Sequence, residues 1–314
     1  MLKVSKLSIV IPVFYNQETL QALYHDMKEK VLCKLDDYEI IFVDDGSGDN
    51  SYQIMLDLAK EDARIKTVKL SRNFGSHAAM LAGLSESTGD CAAVKAADMQ
   101  EPAELLLDMF DSWKLGNNVV LAVREKREDS VVSRFFANLY YSIIRKIAIP
   151  DMPKSGFDMF LVDRKVIKVL ELMDEKNTSI SGQVLWSGFQ RGVVYYTRQK
   201  RQAGKSRWTL GKKIKLVLDS VLGFSYFPIR FISVIGILFF LFSIVYLIFV
   251  LSLRLLGGID VEGWTALMIV TLFSSGIIML TLGILGEYIW RALDASRNRP
   301  IYIIEEKNSD RNET

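Results

Sequence analysis

A short acidic segment, residues 95–102, carries the side chains best suited to chemistry. It contains Asp98 and Gln100 and follows the apolar run Cys91–Val94, which predicts a buried strand. Pro102 is a residue favoured in the first turn of a helix, so a helix is predicted to begin there. The two oxygen-bearing side chains then share one strand-to-helix turn, where they can ligate a hard cation such as Mg²⁺ or Mn²⁺. The alternative is a helix N-terminus whose acidic residues complement the helix macrodipole.

The composition argues against several classes of protein. The chain has 314 residues, with Lys+Arg 39 against Asp+Glu 37. This near balance of charge argues against nucleic acid as a main partner. Cys33 and Cys91 lie in apolar segments without the spacing of a metal site or a disulfide framework, and two histidines are too few for a histidine-based metal site.

The first half of the chain alternates strand and helix patterns. The apolar, β-branched runs that predict strands are Ser8–Val13, Tyr38–Val43, Ile65–Leu70, Cys91–Lys95 and Val119–Val123. The first of these runs has the length of a strand rather than that of a signal peptide. Strands that alternate with helices at this spacing predict an α/β fold with a mostly parallel sheet.

Four polar loops follow the predicted strands, at Tyr15-Asn16, Asp44–Ser47, Asn73–Gly75 and Asp98–Gln100. In a parallel sheet such loops meet at one edge, which is where ligands bind. Carboxylates and amides there suit a nucleotide, whereas the glycine-rich dinucleotide and Walker motifs are missing from the sequence. Taken alone, the Asp44–Ser47 loop is better explained as an acidic turn with Gly46 in a left-handed conformation.

The region after the predicted sheet is amphipathic and basic. Ser130–Ile149 mixes aromatic and cationic residues at helical spacing, which indicates a helix packed on the sheet or lying on a membrane surface. Val193–Tyr196 predicts a late strand. It leads into Arg198–Arg207, which contains five cations and is interpreted as a solvated loop or as an anion-binding flap.

Two long apolar stretches predict a transmembrane hairpin. Phe231–Leu253 and Trp264–Leu285 carry no charge over 23 and 22 residues, which is long enough to cross a hydrocarbon core of about 30 Å. Basic residues flank the hairpin outside its short connecting loop, so the positive-inside rule predicts that both flanks and the N-terminal domain are cytoplasmic. The predicted domains are a globular domain at 1–210, a juxtamembrane amphipathic helix at 211–229, the hairpin at 230–290 and a cytoplasmic tail at 291–314.

The ordered motifs resemble glycosyltransferase family 2 with its GT-A fold, and within it the polyprenyl-phosphate glycosyltransferases. The motifs that carry the resemblance are Ile11–Glu18, Val43–Asp49, Leu70–Gly75, Ala97–Pro102, Gly204–Trp208, Gly286–Tyr288 and Arg299-Pro300. They extend over nearly the whole chain and include the segment that follows the predicted hairpin.

The resemblance implies a role for each matching residue. The expected donor-site residues are Pro12, Tyr15, Asp44, Asp45 and Asn73. Of these, Pro12, Tyr15 and Asp45 are expected to line the nucleobase pocket. Asp98 and Gln100 are expected to hold Mg²⁺ or Mn²⁺ against the donor diphosphate, and Asp98 is counted as catalytic for that reason.

The acceptor side is assigned in the same way. Asp158 matches an acidic catalytic residue near the acceptor phosphate. Arg198, Arg201 and Arg207 match cations that grip phosphates, a task for which the guanidinium fork is well suited.

Two residues depart from the family pattern. Ala96 replaces the first aspartate of the usual Asp-x-Asp motif, which removes one anionic oxygen from the expected metal site. Phe160 stands where the bacterial glucosyltransferases usually have arginine, which changes the expected contacts on the acceptor side.

The function implied by the resemblance is inverting sugar transfer from a nucleotide-sugar donor, such as UDP-glucose, to polyprenyl phosphate. The expected place is the cytoplasmic face of a bacterial inner membrane, and the product is a lipid-linked sugar for cell-envelope glycans. One alternative is a catalytically degenerate membrane adaptor, suggested by Ala96. Another is a polysaccharide synthase, which requires a larger helical channel than two spans can form. Small residues at Gly276, Gly283 and Gly286 can pack within the hairpin or between subunits of a homo-oligomer.

Overall fold

An eight-stranded sheet forms the centre of the globular part. The computed structural model describes residues 5–125, 141–142, 144–173, 175, 178–199, 210–225, 227–255 and 263–308. The strands are β1 (Lys6–Val13), β2 (Asp37–Asp44), β3 (Ile65–Leu70), β4 (Cys91–Val94), β5 (Val119–Arg124), β6 (Met159–Asp163), β7 (Arg191–Tyr196) and β8 (Ile304–Lys307). Their order across the sheet is β7-β5-β6-β4-β1-β2-β3-β8.

Six strands run in one direction, and β6 and β8 run in the other. β6 is antiparallel to both of its neighbours, β4 and β5, and β8 is antiparallel to β3. The carboxyl ends of the six parallel strands therefore lie at the same edge as the amino ends of β6 and β8. Asp158, directly before β6, is brought to this edge by the reversal of its strand. The predicted α/β fold with a mostly parallel sheet is confirmed.

Helices from the globular part of the chain cover both faces of the sheet. The described helices are α1 (Leu20–Lys30), α2 (Ser51–Glu61), α3 (Ser76–Ser85), α4 (Leu105–Lys114), α5 (Arg164–Leu172), α6 (Ile180–Trp186), α7 (Leu210–Phe224), α8 (Phe227–Leu255) and α9 (Trp264–Ser296), with a short 3₁₀ helix at Leu32–Lys34. Alternate residues of β1, including Ile9 and Ile11, pack with Leu23 and Met27 of α1 in the main apolar core. This alternation of contacts follows from the two-residue period of a strand.

The opposite face of the sheet is covered by α3, which packs closely on β1 and β2. A side chain at Gly83 would place its Cβ 2.2 Å from Cγ1 of Val10 and 3.0 Å from Cγ2 of Val43. Glycine is therefore needed at this point for the helix to approach the strands.

Several local predictions differ from the structure. The helix predicted to begin at Pro102 begins at Leu105, because the preceding residues form i→i+3 turns, such as that from the Leu105 amide to the Pro102 carbonyl. Helices α5 and α6 were not predicted, and neither was β8, which lies within the predicted tail. Most of the predicted amphipathic segment 130–149 falls outside the described residues, as does the predicted flap Arg198–Arg207 apart from its first two residues.

The described chain divides into two units. One contains the residues up to Ser220 together with those from Pro300 onwards, and the other is Val221–Arg299. In the second unit, Phe227–Tyr246 of α8 and Phe273–Ser296 of α9 are long and apolar enough to cross a membrane, and neither is buried.

Candidate active site

The loops after β1 and β2 form the first part of the site. Tyr15 adopts a left-handed backbone with φ of 56°, and its amide donates to Oγ of Ser47 at 3.0 Å. The Asp45 amide donates to the Val13 carbonyl at 2.9 Å, which joins the two loops just beyond the strands. Pro12 lies in β1 and pairs in register with Val43 of β2, so the sheet fixes the strand ends from which these two loops start.

Asp45 ties the loop after β3 to this group. Its carboxylate accepts hydrogen bonds from the Phe74 amide at 2.7 Å and the Gly75 amide at 3.0 Å, and the residue is 3% exposed. The Asn73 side-chain amide donates to the Asp45 carbonyl at 3.3 Å. Gly46 has φ of 71°, and a Cβ there would lie 2.6 Å from the Arg72 carbonyl carbon. The loop after β3 is thus packed directly against the acidic turn.

Asp44, the last residue of β2, is fully buried. Its carboxylate accepts from the Ser47 amide at 3.2 Å. Burial raises the pKa of this carboxyl above its ordinary value, and hydrogen bonds from Ser47 oppose the shift. The structure therefore brings the predicted donor residues together along the ends of β1, β2 and β3.

A buried lysine, Lys95, holds the turn after β4 in place. Nζ of Lys95 donates to the Glu101 carbonyl at 2.6 Å, and the lysine is 1% exposed. Oγ1 of Thr19 donates to the Ala97 carbonyl at 2.8 Å, which anchors the turn to the start of α1. The turn also uses a left-handed residue, Met99, with φ of 57°. Asp98 is thus presented on a turn that is fixed at both ends.

The chain beyond β7 runs beside this turn. The Gln199 amide donates to the Gln100 carbonyl at 2.9 Å, and the Arg198 guanidinium donates to Oε1 of Gln100. Nε of Arg198 is buried and has no hydrogen-bond partner within the described part of the chain. Arg198 therefore lies beside the turn that contains the predicted metal ligands Asp98 and Gln100, and its Nε–H can donate a hydrogen bond to a ligand.

Asp158 is held by Arg124 and Tyr196, two residues outside the predicted site. The Arg124 guanidinium donates to both of its carboxylate oxygens, and the Tyr196 hydroxyl donates to one of them. Arg124 ends β5 and Tyr196 ends β7, so three strand ends meet at this carboxylate. Burial disfavours the charged form of Arg124, but the Asp158 carboxylate outweighs this effect and raises its pKa. Burial and Asp158 together also raise the pKa of the Tyr196 hydroxyl.

Glu101 lies among these charged groups and is 4% exposed. Burial raises its pKa to about 7; Lys95 opposes the shift, and the carboxylates of Asp98 and Asp158 add to it. Its Oε2 atom has no partner within the described part of the chain. Burial also lowers the pKa of Lys95. Perturbed groups of both signs at one sheet edge are typical of a functional site.

The donor set around Asp98 fits a metal ion held largely by phosphates and water. The described residues contain no group of three histidine, cysteine, aspartate or glutamate side chains placed to bind a metal. Asp98 supplies one carboxylate, Gln100 an amide oxygen, and the unpartnered oxygen of Glu101 lies one residue further along. Mg²⁺ is commonly bound in this way, by one or two carboxylates together with substrate phosphates.

The remaining predicted residues have different outcomes. Arg201 and Arg207 lie outside the described residues. Phe160 is 3% exposed and packs edge-on against Phe157, with ring centroids 6.3 Å apart. It therefore contributes to the apolar packing of β6. Arg124 and Tyr196 could have been found by applying the strand-end rule to β5 and β7, as it was applied to the earlier strands.

Comparison with known proteins identifies the family. The model of "Glycosyl transferase family 2" matches residues 8–170. A Bacillus subtilis protein named uncharacterized glycosyltransferase YkcC is 37% identical over 95% of this chain and 93% of its own length. The bactoprenol glucosyl transferase of Shigella phage SfV is 34% identical over 96% of this chain and 98% of its own length.

Solved structures with lower similarity were also found. Staphylococcus aureus TarS in complex with UDP-GlcNAc covers 63% of this chain and 60% of its own, with 17% identity and a TM-score of 0.45. The mannosyltransferase PcManGT from Pyrobaculum calidifontis covers 63% and 58%, with 14% identity and a TM-score of 0.46. On the family match and the full-length relatives, the chain is a glycosyltransferase and belongs to glycosyl transferase family 2.

Proposed function

We propose that the protein transfers a sugar from a nucleotide-sugar donor to polyprenyl phosphate, with UDP-glucose the first donor to test. One observation carries the proposal. The relative named bactoprenol glucosyl transferase aligns over 301 of the 314 residues, so the similarity includes both apolar helices as well as the globular part. An acceptor with a long apolar chain requires an enzyme that works at a membrane.

The donor site is assigned to the loops after β1, β2 and β3. Tyr15 and Pro12 provide apolar surface for a base, and the neighbouring carboxylates and amides suit its N–H groups and the ribose hydroxyls. The Asp45 carboxylate already accepts two backbone amides. Its role includes fixing the Asn73–Gly75 loop as one wall of the donor site.

Asp98 and Gln100 would hold Mg²⁺ or Mn²⁺ beside the donor diphosphate. When bound, such an ion neutralises charge that develops on the leaving diphosphate. Ala96 supplies no carboxylate at the first position of the Asp-x-Asp motif, so water or donor oxygens would have to take the place of that ligand. Arg198 lies beside the same turn, and its Nε–H, which has no partner among the described residues, is a suitable donor to a phosphate oxygen.

On the acceptor side, Asp158 orients groups more than it removes a proton. Arg124 and Tyr196 already occupy its oxygens. A phosphate monoester is ionised near pH 7, so a strong general base is not required. An acceptor phosphate oxygen forms a bond to the anomeric carbon, and the bond from that carbon to the diphosphate oxygen breaks. Single displacement inverts the anomeric configuration and releases a nucleoside diphosphate.

The proposed location is the cytoplasmic face of a bacterial inner membrane, with two spans. Arg230 directly precedes the first apolar stretch, and Arg291, Arg297 and Arg299 follow the second. The positive-inside rule assigns these flanks to the cytoplasm, together with the N-terminal domain before the first stretch and the tail after the second.

The test is a transfer assay on membranes that contain the full-length protein. Radiolabelled UDP-glucose, other UDP-sugars and GDP-mannose are each supplied with polyprenyl phosphate, and the products are separated by organic extraction. Label in a charged lipid supports the proposal. Label in a polymer indicates a polysaccharide synthase, and no transfer from any donor indicates the adaptor.

A further inference from the structure

The segment after the second apolar helix returns to the sheet. We define residues 302–308 as the C-terminal strap. Its strand, β8, pairs antiparallel with β3, with Val68 opposite Lys307 and Leu70 opposite Ile304. Without it, β3 would be the edge strand of this side of the sheet, with its backbone groups unpaired.

Side chains reinforce this pairing along its whole length. The Asn308 side chain accepts from the Thr67 amide and donates to the Ile65 carbonyl, both at 3.0 Å, so it continues the ladder as a backbone would. Nζ of Lys307 lies 2.6 Å from Oε1 of Glu86, and the hydroxyl of Tyr302 is 2.8 Å from that of Ser85. These contacts join the strap to both β3 and the end of α3.

The strap also contacts the start of a site loop. The Ser71 amide donates to the Ile303 carbonyl at 3.0 Å, directly after β3 ends at Leu70. Three residues later, Phe74 and Gly75 donate their amides to the Asp45 carboxylate. The same loop leaves no space for a side chain at Gly46. A continuous set of contacts therefore runs from the strap through residues 71–75 to the proposed donor pocket.

We propose that the C-terminal strap is a positioning element for the donor site. It holds the end of β3, and so keeps the loop at 71–75 in the arrangement that fixes Asp45. Nucleotide affinity then depends on a segment that follows the second span in the chain. Tyr302 and Asn308 act through the loop and touch no substrate. This inference rests on the assignment of the donor to the loops after β1, β2 and β3.

The experiment compares full-length protein in detergent with two truncations that retain both apolar helices. One chain stops after Asn308 and keeps the strap; the other stops after Arg299 and lacks it. Binding of UDP and of GDP is measured by calorimetry, and hydrogen exchange is measured on peptides that contain residues 71–75. We expect the chain that keeps the strap to match the full-length protein, and the shorter chain to bind nucleotide at least about tenfold more weakly.

A point variant covers the case in which the shorter chain does not fold. Tyr302→Phe combined with Asn308→Ala removes the contact with Ser85 and two ladder hydrogen bonds. We expect faster exchange at residues 71–75 and a rise of about three- to tenfold in the nucleotide Kd and the donor KM, with kcat unchanged. Lys60→Ala, which removes an exposed ion pair on α2, is the control and should alter none of these values.

The outcomes separate this inference from the proposed function. If the full-length protein binds UDP or GDP and the double variant binds it equally well, the strap does not position the donor site and the inference is wrong. The inference is also wrong if kcat falls while KM stays constant. If the full-length protein binds neither nucleotide, the proposed function fails, and this inference fails with it.

Discussion

Two buried glutamates lie at opposite edges of the same sheet. Glu39 is near the amino end of β2, and Glu101 follows the carboxyl end of β4; they are 2% and 4% exposed. Burial acts on both in the same direction, because it disfavours a charged carboxylate. The pKa of Glu39 is nevertheless lowered to about 2, whereas that of Glu101 is raised to about 7.

The partners of Glu39 explain its low pKa. Ser8 donates to its carboxylate at 2.6 Å, the ammonium groups of Lys6 and Lys66 lie at 3.0 and 2.9 Å, and the Thr88 amide also donates. Burial raises the pKa of this carboxyl, but these hydrogen bonds and charges outweigh it. The ionised form is thus fully satisfied and stabilises the fold.

Among the described residues, Glu101 has no comparable set of partners, and its Oε2 atom has none. Lys95 and, to a lesser extent, Arg198 oppose the rise in its pKa, and the lysine ammonium donates its hydrogen bond to the Glu101 backbone carbonyl. The acidic neighbours Asp98 and Asp158 add to the effect of burial. The amino edge of the sheet is therefore built for stability, and the carboxyl edge retains unsatisfied charge that suits a charged ligand.

The largest expected effect is on activity at the carboxyl edge. Asp98→Ala should reduce turnover by about 10²–10³-fold, the cost of removing one group that stabilises transition-state charge. Because Asp98 lies on a loop, the melting temperature should change little. Lipid-product formation and thermal unfolding are measured together, with Asp57→Ala on α2 as an exposed control. A fully active Asp98→Ala enzyme would refute the metal assignment.

The next effect is on stability at the amino edge. The pKa of Glu39 is below its unfolded value, so its contribution is complete above about pH 4.5 and is lost as the pH falls towards 2. Glu39→Gln should lower the free energy of unfolding at pH 7 by about 3 kcal/mol. It should also flatten the acid dependence between pH 4.5 and 2. Thermal unfolding across this range tests both points, and Glu61→Gln is the exposed control; unchanged stability at pH 7 would contradict the prediction.

A smaller effect is expected from the ion pair inside the site. Arg124 and Asp158 have side chains that are 15% and 21% exposed, so breaking the pair costs less than the loss of a fully buried one. Arg124→Met and Asp158→Asn should each lower stability by about 2 kcal/mol. The double variant should lose less than the sum, because it leaves no unpaired charge. Thermal unfolding of all four proteins gives the coupling energy, and strictly additive losses would show that the pair is not coupled.

Much of the sheet and half of the site followed from local patterns. The apolar runs of β1–β5 predict strands because buried parallel strands are nearly continuous in apolar residues. Because the carboxyl ends of parallel strands share one edge of the sheet, Asp45, Asn73 and Asp98 are then expected together at that edge. The roles assigned to these residues stay predictions.

The reversed strands could not be predicted in this way. β8 reads Ile-Glu-Glu-Lys, with one apolar residue, and its pairing depends on distant partners such as Lys69 and Glu86. The insertion of β6 between β4 and β5 is likewise not encoded in its own apolar run. The strand-end rule alone points to Arg124 and Tyr196, but their shared contact with Asp158 exists only once β6 lies between β4 and β5.

The smallest expected effect is a gain in stability, opposite in sign to the effect at Glu39, and it tests the comparison of Glu39 with Glu101 directly. The native pKa of Glu101 lies above its unfolded value, so the native state holds a proton between about pH 4.5 and 7 that the unfolded chain has released. This contribution to stability is complete below pH 4.5 and is lost as the pH rises through 7. Glu101→Gln stays neutral, and should therefore stabilise the protein at pH 8 by about 1 kcal/mol, since the lost attraction to Lys95 offsets part of the gain. Thermal unfolding from pH 4.5 to 8 is the measurement, with the exposed Glu104→Gln as the matched control. If Glu101→Gln instead destabilised the protein at pH 8 as Glu39→Gln does at pH 7, the two edges would be electrostatically alike, and the unsatisfied charge could not be assigned to ligand binding.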